Sequence, residues 1–264
     1  MASPPPPNII TRLDVPTIHG TLDVITSLPI SPPPPTQSDP TKEIPDILLI
    51  HGNSSSSQIF KSIFFPAPPS AFSSPQATVP LAATHRIIAF DLPGHGASTN
   101  APAGPFPPYS SHYTMPSYAD AALAILDRFK VGSVIVFGHS LGGHVGMELI
   151  PRLGRRLKGL MITGTPPVPR GRPDLGFKAM EDAGSHMGLA ESETLTEEEI
   201  VAMGEAVGGK KHGGKVEGWM EADVRRTDGR ARKDMWAAFR KGEGIDQQQT
   251  LEKEERVVVA VVNG

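Results

Sequence analysis

The chain has 264 residues and a formal net charge of −3. That length suits one large α/β domain with an insertion, or at most two small domains, and it buries enough surface to need no covalent staples. The chain contains no cysteine, which excludes disulfides, thiol nucleophiles and cysteine-ligated zinc. The small negative charge offers no footprint for a nucleic-acid or acidic-membrane partner.

The composition is uneven along the chain. Of 28 prolines, 23 precede position 117, whereas 43 of the 53 charged residues follow it. A sheet-rich first part and a helical later part account for both trends. The start, MASPPPPNII, has no basic region and no long apolar run, so it is no signal peptide. No stretch reaches the ~20 apolar residues of a membrane span. The final VVNG matches no retention tail. The expectation is a soluble, cytoplasmic protein with no membrane span.

Taken in order, residues 1–8 read as a disordered proline tail. Residues 9–17 and 21–28 read as two strands joined at His19-Gly20, a hairpin. The prolines of 31–40 make that stretch loop. Ile47–Ile50 is apolar on both faces, as in a buried parallel strand. Gln58–Phe65 reads as a short helix, and 86–90 as another buried strand. Ser117–Lys130 has apolar residues at helical spacing, with Ser117 as the expected N-cap and Gly132 as the stop. Val134–Phe137 and Leu160–Ile162 are further buried strands around a helix at Val145–Leu153, which Pro151 strains near its end. Strand, helix and strand alternate, which implies a mostly parallel α/β sheet with right-handed crossovers.

After position 170 the pattern turns helical. The expected helices are 174–187, 195–207, 216–226 and 229–241. Thr196 and Glu199 form a capping box at the start of the second. Asp228-Gly229 separates the last two. Arg256–Val262 then reads as one more buried strand.

Three short motifs follow apolar strands, where chemistry is usually placed. Gly138-His139-Ser140-Leu141-Gly142 fits G-x-S-x-G between a strand and a helix. The spacing has a physical reason. A serine on a sharp strand-to-helix turn holds its hydroxyl clear of the sheet, and small residues two before and two after let the chain pass. The helix N-terminus favours the negative charge that develops in acyl transfer. His51-Gly52-Asn53-Ser54 follows an earlier strand. Two backbone N–H groups must converge to hold an oxyanion, and Asn53 and Leu141 are the expected pair. His51 reads as structural, a ring that holds its loop. Asp91-Leu92-Pro93-Gly94-His95-Gly96 follows the next strand, and Asp91 also reads as structural.

Together HGNS, DLPGHGAS and GHSLGG resemble the α/β-hydrolase superfamily across residues 9–264, in the family's order and on its strands. The wider pattern looks like the branch of esterases, haloperoxidase-like enzymes and carbon–carbon hydrolases that carry a helical cap. The resemblance implies an α/β-hydrolase fold with Ser140 as nucleophile. It implies an oxyanion hole at the Asn53 and Leu141 backbone, with His51, Gly52, Gly138, His139 and Gly142 supporting it. The substrate implied is a small-molecule ester, thioester or related acyl compound, with no cofactor and no metal. Epoxide hydrolases and haloalkane dehalogenases of the family carry Asp where this chain has Ser140, so their chemistry is not expected. The implied division is a core over 9–170, a cap over 171–250 and a further core strand within 251–264.

The family also requires an acid and then a histidine after the serine. The acid normally follows a strand matching 256–262, and the sequence stops at Asn263-Gly264. The chain therefore reads as a C-terminally truncated or mis-predicted hydrolase, with its last strand and helix missing. Among the later histidines, His144 is expected to point away from Ser140, His186 reads as a solvated helix residue, with a base reaching the pocket from the cap as the sharper alternative, and His212 sits in a glycine-lysine loop. The alternative is a hydrolase-like binding protein, or a fragment, that lacks the triad acid and histidine.

Three weaker signals complete the reading. Residues 209–216 nearly match a phosphate loop but lack the hydroxyl residue after Lys215, so they read as a basic turn. Arg225, Arg226, Arg230, Arg232 and Lys233 alternate with acids and read as a solvated helix face. Methionines and tryptophans of the helical part read mostly as packing, with one or two lining an apolar pocket.

Overall fold

The structure is a computed structural model that describes residues 9–28, 44–65, 81–177, 186–208 and 218–262. The proline segments at 1–8 and 31–40, the basic turn at 209–216 and His212 lie outside the described residues.

The first two strands, β1 (Ile9–Thr17) and β2 (Gly20–Leu28), form the expected antiparallel hairpin. Gly20 makes the turn with φ of 110°, a conformation open chiefly to glycine. Five further strands follow: β3 (Asp46–Ile50), β4 (Ile87–Phe90), β5 (Val134–His139), β6 (Leu157–Thr163) and β7 (Val258–Val262). They make one seven-stranded sheet in the order β1-β2-β4-β3-β5-β6-β7. The pairs from β4 through β7 are parallel, and β2 meets β4 antiparallel.

The apolar runs split by parity into two faces. Leu48, Ile50, Ile88, Phe90, Val134 and Val136 point to one side, against α2 (Met115–Arg128) and α3 (Leu141–Leu153). Ile47, Leu49, Ile87 and Ala89 point to the other, against Phe60 and Phe64 of the short turn and helix that end in α1 (Lys61–Phe64). Both faces are covered, which is why these strands carry little polarity.

Three expectations need correction. α2 is capped by Thr114, whose side chain accepts the Ser117 N–H, and not by Ser117. Pro116 then falls in the first turn, where a missing N–H is harmless. The Ser117 hydroxyl is taken by the Ser111 carbonyl. The helix also ends before Gly132, because Lys130 already adopts φ of 52°. The last strand begins at Val258 and is exposed, with Val258 79% and Val262 47% accessible. A buried strand needs cover on its faces and a neighbour on each side. β7 has only β6, among the described residues.

Between β6 and β7 the chain is helical. Residues 174–177 start a helix, and a 3-10 turn spans His186–Glu191. Then come α4 (Glu197–Gly208), α5 (Gly218–Arg226), α6 (Gly229–Arg240) and α7 (Gln247–Glu252). The capping box at α4 forms in both directions: Glu199 Oε2 accepts from Thr196 N at 2.8 Å, and Thr196 Oγ1 from Glu199 N at 3.3 Å. Asp228 caps α6. No helix among the described residues is long and apolar enough to cross a membrane.

The arginine cluster is not a uniformly solvated face. Arg225 and Lys233 do pair with exposed Glu197 and Glu193. Arg226, however, donates to Asn100 and to the Ser98 carbonyl, and Arg230 to the Ala101 carbonyl, all on the sheet side. Arg232 is buried and donates to the carbonyls of Ser192, Glu193 and Val224. These contacts fasten the helical segment to itself and to the sheet. Replacing Arg232 by alanine leaves three carbonyls short of a donor, so stability is expected to fall by about 3 kcal/mol in urea unfolding. A value within about 0.5 kcal/mol of the parent, the range of bland surface changes, would contradict this role.

Candidate active site

The loops after β3, β4, β5 and β6 gather at the carboxyl end of the parallel strands. The strand order reverses at β3, where open α/β sheets form their crevice. Ser140 sits between β5 and α3 with φ of 52° and ψ of −118°. This is a conformation glycine holds easily and serine does not. Its surroundings hold it there. The Ser140 N–H donates to the Thr163 carbonyl at 2.8 Å, and its carbonyl accepts from the Thr165 hydroxyl at 2.8 Å and the Gly143 N–H at 2.9 Å.

The flanking glycines are required by contact. A Cβ at Gly138 would come well inside 3.0 Å of the Gly142 carbonyl, and one at Gly142 well inside 3.0 Å of the Ile50 and His51 carbonyls. At Gly52 a Cβ would meet His139 and the Ser140 Cβ at 3.1 Å. The β3 loop and the Ser140 turn therefore approach as closely as two backbones can. α3 begins at Leu141, so its leading N–H groups have no carbonyl within the helix.

Ser140, Leu141 and Asn53 line one cavity of about 90 Å³. The Asn53 side chain donates to the Ala190 carbonyl at 2.9 Å, across to the 3-10 turn. Met115, Met235 and Trp236 complete much of the apolar wall. Met235 and Trp236 thus bear out the expectation that one or two such side chains line a pocket. Trp236 and Phe177 meet edge to face at 5.2 Å and also border an outer cavity of about 240 Å³.

His51 is fully buried, and both ring nitrogens are engaged. Nδ1 faces the Gly52 carbonyl at 2.7 Å, and Nε2 accepts the Leu92 N–H at 2.9 Å. Burial keeps it neutral by pushing its pKa down. It ties the β3 loop to the β4 loop, the structural role expected. Asp91 does the same for its own loop, accepting from Ser57 N and Ala97 N at 2.7 Å each. His139 stands beside Gly52, and burial lowers its pKa.

His144 departs from expectation. It lines the Ser140 cavity instead of pointing away from it. It lies four residues after Ser140, one helical turn on, and that spacing was the signal available in the sequence. Its Nδ1 is 2.9 Å from Gln247 Oε1, and its ring lies against Phe177 and Phe239. Burial pushes it down to about 4, against the opposing effect of Gln247. Sequence reasoning also missed Phe177 and Gln247, which are joined to the site only by the folded chain. His186 lies in the 3-10 turn.

The buried histidines set an acid limit on stability. Burial lowers His95 to about 3, and His19 and His144 to about 4. Below about pH 6.5 the unfolded chain takes up protons that these rings refuse, so stability falls as pH drops toward 4. Each contributes a slope of about 1.4 kcal/mol per pH unit. Asp223 works in the opposite sense. Burial, and the charge of Asp91 after it, raise Asp223 to about 6 despite the Ser56 hydroxyl bonded to it. Its contribution is present at low pH and lost as pH rises through 6. Burial also lowers His51, His112 and His139 and raises Asp23, Asp120 and Glu148, so six histidines stand against four carboxyls, and the urea midpoint is expected to be lower at pH 5 than at pH 7. An equal or higher midpoint at pH 5 would contradict the account.

Comparisons with known proteins agree on the fold. A family model described as the alpha/beta hydrolase family matches residues 47–247. Among solved structures, an N-acyl homoserine lactonase, AidH, complexed with N-butanoyl homoserine, is 34% identical with a TM-score of 0.74, covering 97% of this chain and 78% of that one. An epoxide hydrolase from Vigna radiata is 16% identical with a TM-score of 0.61 over 97% of this chain and 79% of its own, a likeness of fold alone. A probable lysophospholipase, BODYGUARD 3, from Arabidopsis thaliana is 34% identical over 129 residues, 48% of this chain and 22% of that protein. A haloalkane dehalogenase from Psychrobacter cryohalolentis is 26% identical over 142 residues, 54% of this chain and 38% of its own. The chain thus spans well under half the length of these curated relatives. The family model covers most of the chain and the lactonase aligns with nearly all of it: the chain belongs to the alpha/beta hydrolase family.

Proposed function

We propose that this chain is a serine hydrolase acting on a small acyl substrate, an ester, thioester or lactone. One observation carries the reading. Ser140, in a backbone conformation held against its preference, shares a single cavity with Asn53 and Leu141. The Ser140 Oγ attacks the substrate carbonyl and forms a new C–O bond, and the hydroxyl proton passes to the ester oxygen or thioester sulfur whose bond to the carbonyl carbon breaks. The Asn53 and Leu141 N–H groups hold the oxygen that becomes negative. Collapse expels the alcohol or thiol and leaves an acyl-enzyme, which water then hydrolyses. The helices of 171–250 act as a cap that narrows the cavity and excludes water. The lactonase similarity supports a cyclic or simple ester. The test is covalent labelling with a fluorophosphonate, mapped by mass spectrometry to the peptide holding Ser140. A folded protein that takes no label, or takes it elsewhere, overturns the reading.

A second reading, binding without turnover, is favoured by the lining of the cavity. Among the described residues no carboxylate borders it, and its histidine, His144, is held by Gln247. Stabilisation by an acyl ester that is never hydrolysed would support this reading.

A further inference from the structure

The polar side chains around the Ser140 cavity differ in one respect. Asn53 has given its amide to the Ala190 carbonyl, and His144 has its Nδ1 on Gln247. Trp236 borders the same cavity and is 7% exposed, yet its indole nitrogen is buried without a hydrogen-bond partner among the described residues. A buried donor left unpaired is unfavourable and uncommon, and it calls for a reason. An indole N–H can only donate, so its partner must be an acceptor. The ring is fixed in place. Phe177 makes a T-shaped contact with it at 5.2 Å, Phe239 lies 5.9 Å away, and the Arg240 guanidinium sits 5.6 Å from its centre. The donor is therefore rigid and set before any ligand arrives.

We propose that Trp236 is a specificity residue whose indole N–H binds a second acceptor oxygen on the substrate, one beyond the carbonyl that Ser140 attacks. The inference rests on Ser140 as the reacting serine and adds the class of acyl group. No charged side chain borders this cavity among the described residues, and buried His144 is neutral. A neutral acceptor, such as an amide or ether oxygen within the acyl chain, fits such a lining, and a carboxylate does not. The charged groups Asp174, Glu191 and Arg240 border the outer cavity instead. The remainder of the acyl group lies against Met115, Leu141 and Met235.

Two 4-nitrophenyl esters of matched length test this. One is the N-acetylglycinate, which carries an amide oxygen, and the other is the pentanoate, which does not. The readout is the ratio of their kcat/KM values, for the parent and for Trp236→Phe, which keeps an aromatic ring and removes the N–H. The parent is expected to favour the N-acetylglycinate, and Trp236→Phe to reduce that ratio roughly five- to tenfold, the size of one hydrogen bond. An unchanged ratio overturns the proposal. Affinity of Ser140→Ala protein, with and without Trp236→Phe, for N-acetylglycine methyl ester and methyl pentanoate gives the same comparison without turnover. Loss of the amide preference there supports the role of Trp236 even where the parent hydrolyses neither ester, and its persistence refutes it. Turnover that survives Ser140→Ala overturns the nucleophile assignment separately.

Discussion

Replacing Ser140 by alanine is expected to abolish fluorophosphonate labelling and to lower ester turnover by at least about a thousandfold. The change removes only the hydroxyl. The contacts that hold the turn are backbone ones, from Ser140 N to Thr163 and to the Ser140 carbonyl from Thr165 and Gly143, and alanine keeps them all. The folded state is therefore expected to survive, with a urea midpoint close to that of the parent. On the proposed reading, what remains is the pair of N–H groups at Asn53 and Leu141, which would stabilise an oxyanion but cannot form the acyl-enzyme. Labelling that persists in a folded Ser140→Ala protein would remove Ser140 from the chemistry.

Gly142→Ala is expected to disturb the fold at the Ser140 turn itself. The added methyl would strike the Ile50 and His51 carbonyls, which are backbone atoms of β3 and its loop and have no rotamer to escape into. Either α3 or the end of β3 must move. Overpacking of this kind costs about 3 kcal/mol, near the upper end of its usual range. The same shift separates the Leu141 N–H from the Asn53 N–H, so the surviving folded protein should label poorly. Gly159→Ala is the control. A Cβ there would meet Ile135 at 3.6 Å, an ordinary contact, and stability should hardly change. Equal urea midpoints for the two variants would show that the close approach at Gly142 is not a constraint.

Much of this fold is legible in local sequence. β3, β4, β5 and β6 are short apolar runs ending in glycine-bearing loops, and both the strands and the loops carry their own signals. The Ser140 turn is legible because its requirements are local: a strand before it, a helix after it and small residues at 138 and 142. The capping box at Thr196 and Glu199 is legible for the same reason. What was not legible depends on partners far along the chain. Arg232 reads as solvated from its acidic neighbours, but it meets carbonyls of residues 192, 193 and 224. His144 joins the cavity because Gln247 and Phe177 close around it. β7 reads as buried because valines favour cover, yet its neighbours determine whether cover exists. The unpaired indole of Trp236 has no trace in the sequence at all, since a missing partner is a property of three-dimensional surroundings.

The backbone at position 140 carries a final consequence. Glycine would hold φ of 52° without steric conflict, and serine does so only because Thr163, Thr165 and Gly143 grip its amide and carbonyl. A chain selected for durability alone would have no reason to keep a side chain there. Position 140 instead trades robustness for a hydroxyl presented at the mouth of a helix. The tension is local, and the rest of the sheet, with its dense apolar faces, is firm enough to bear it.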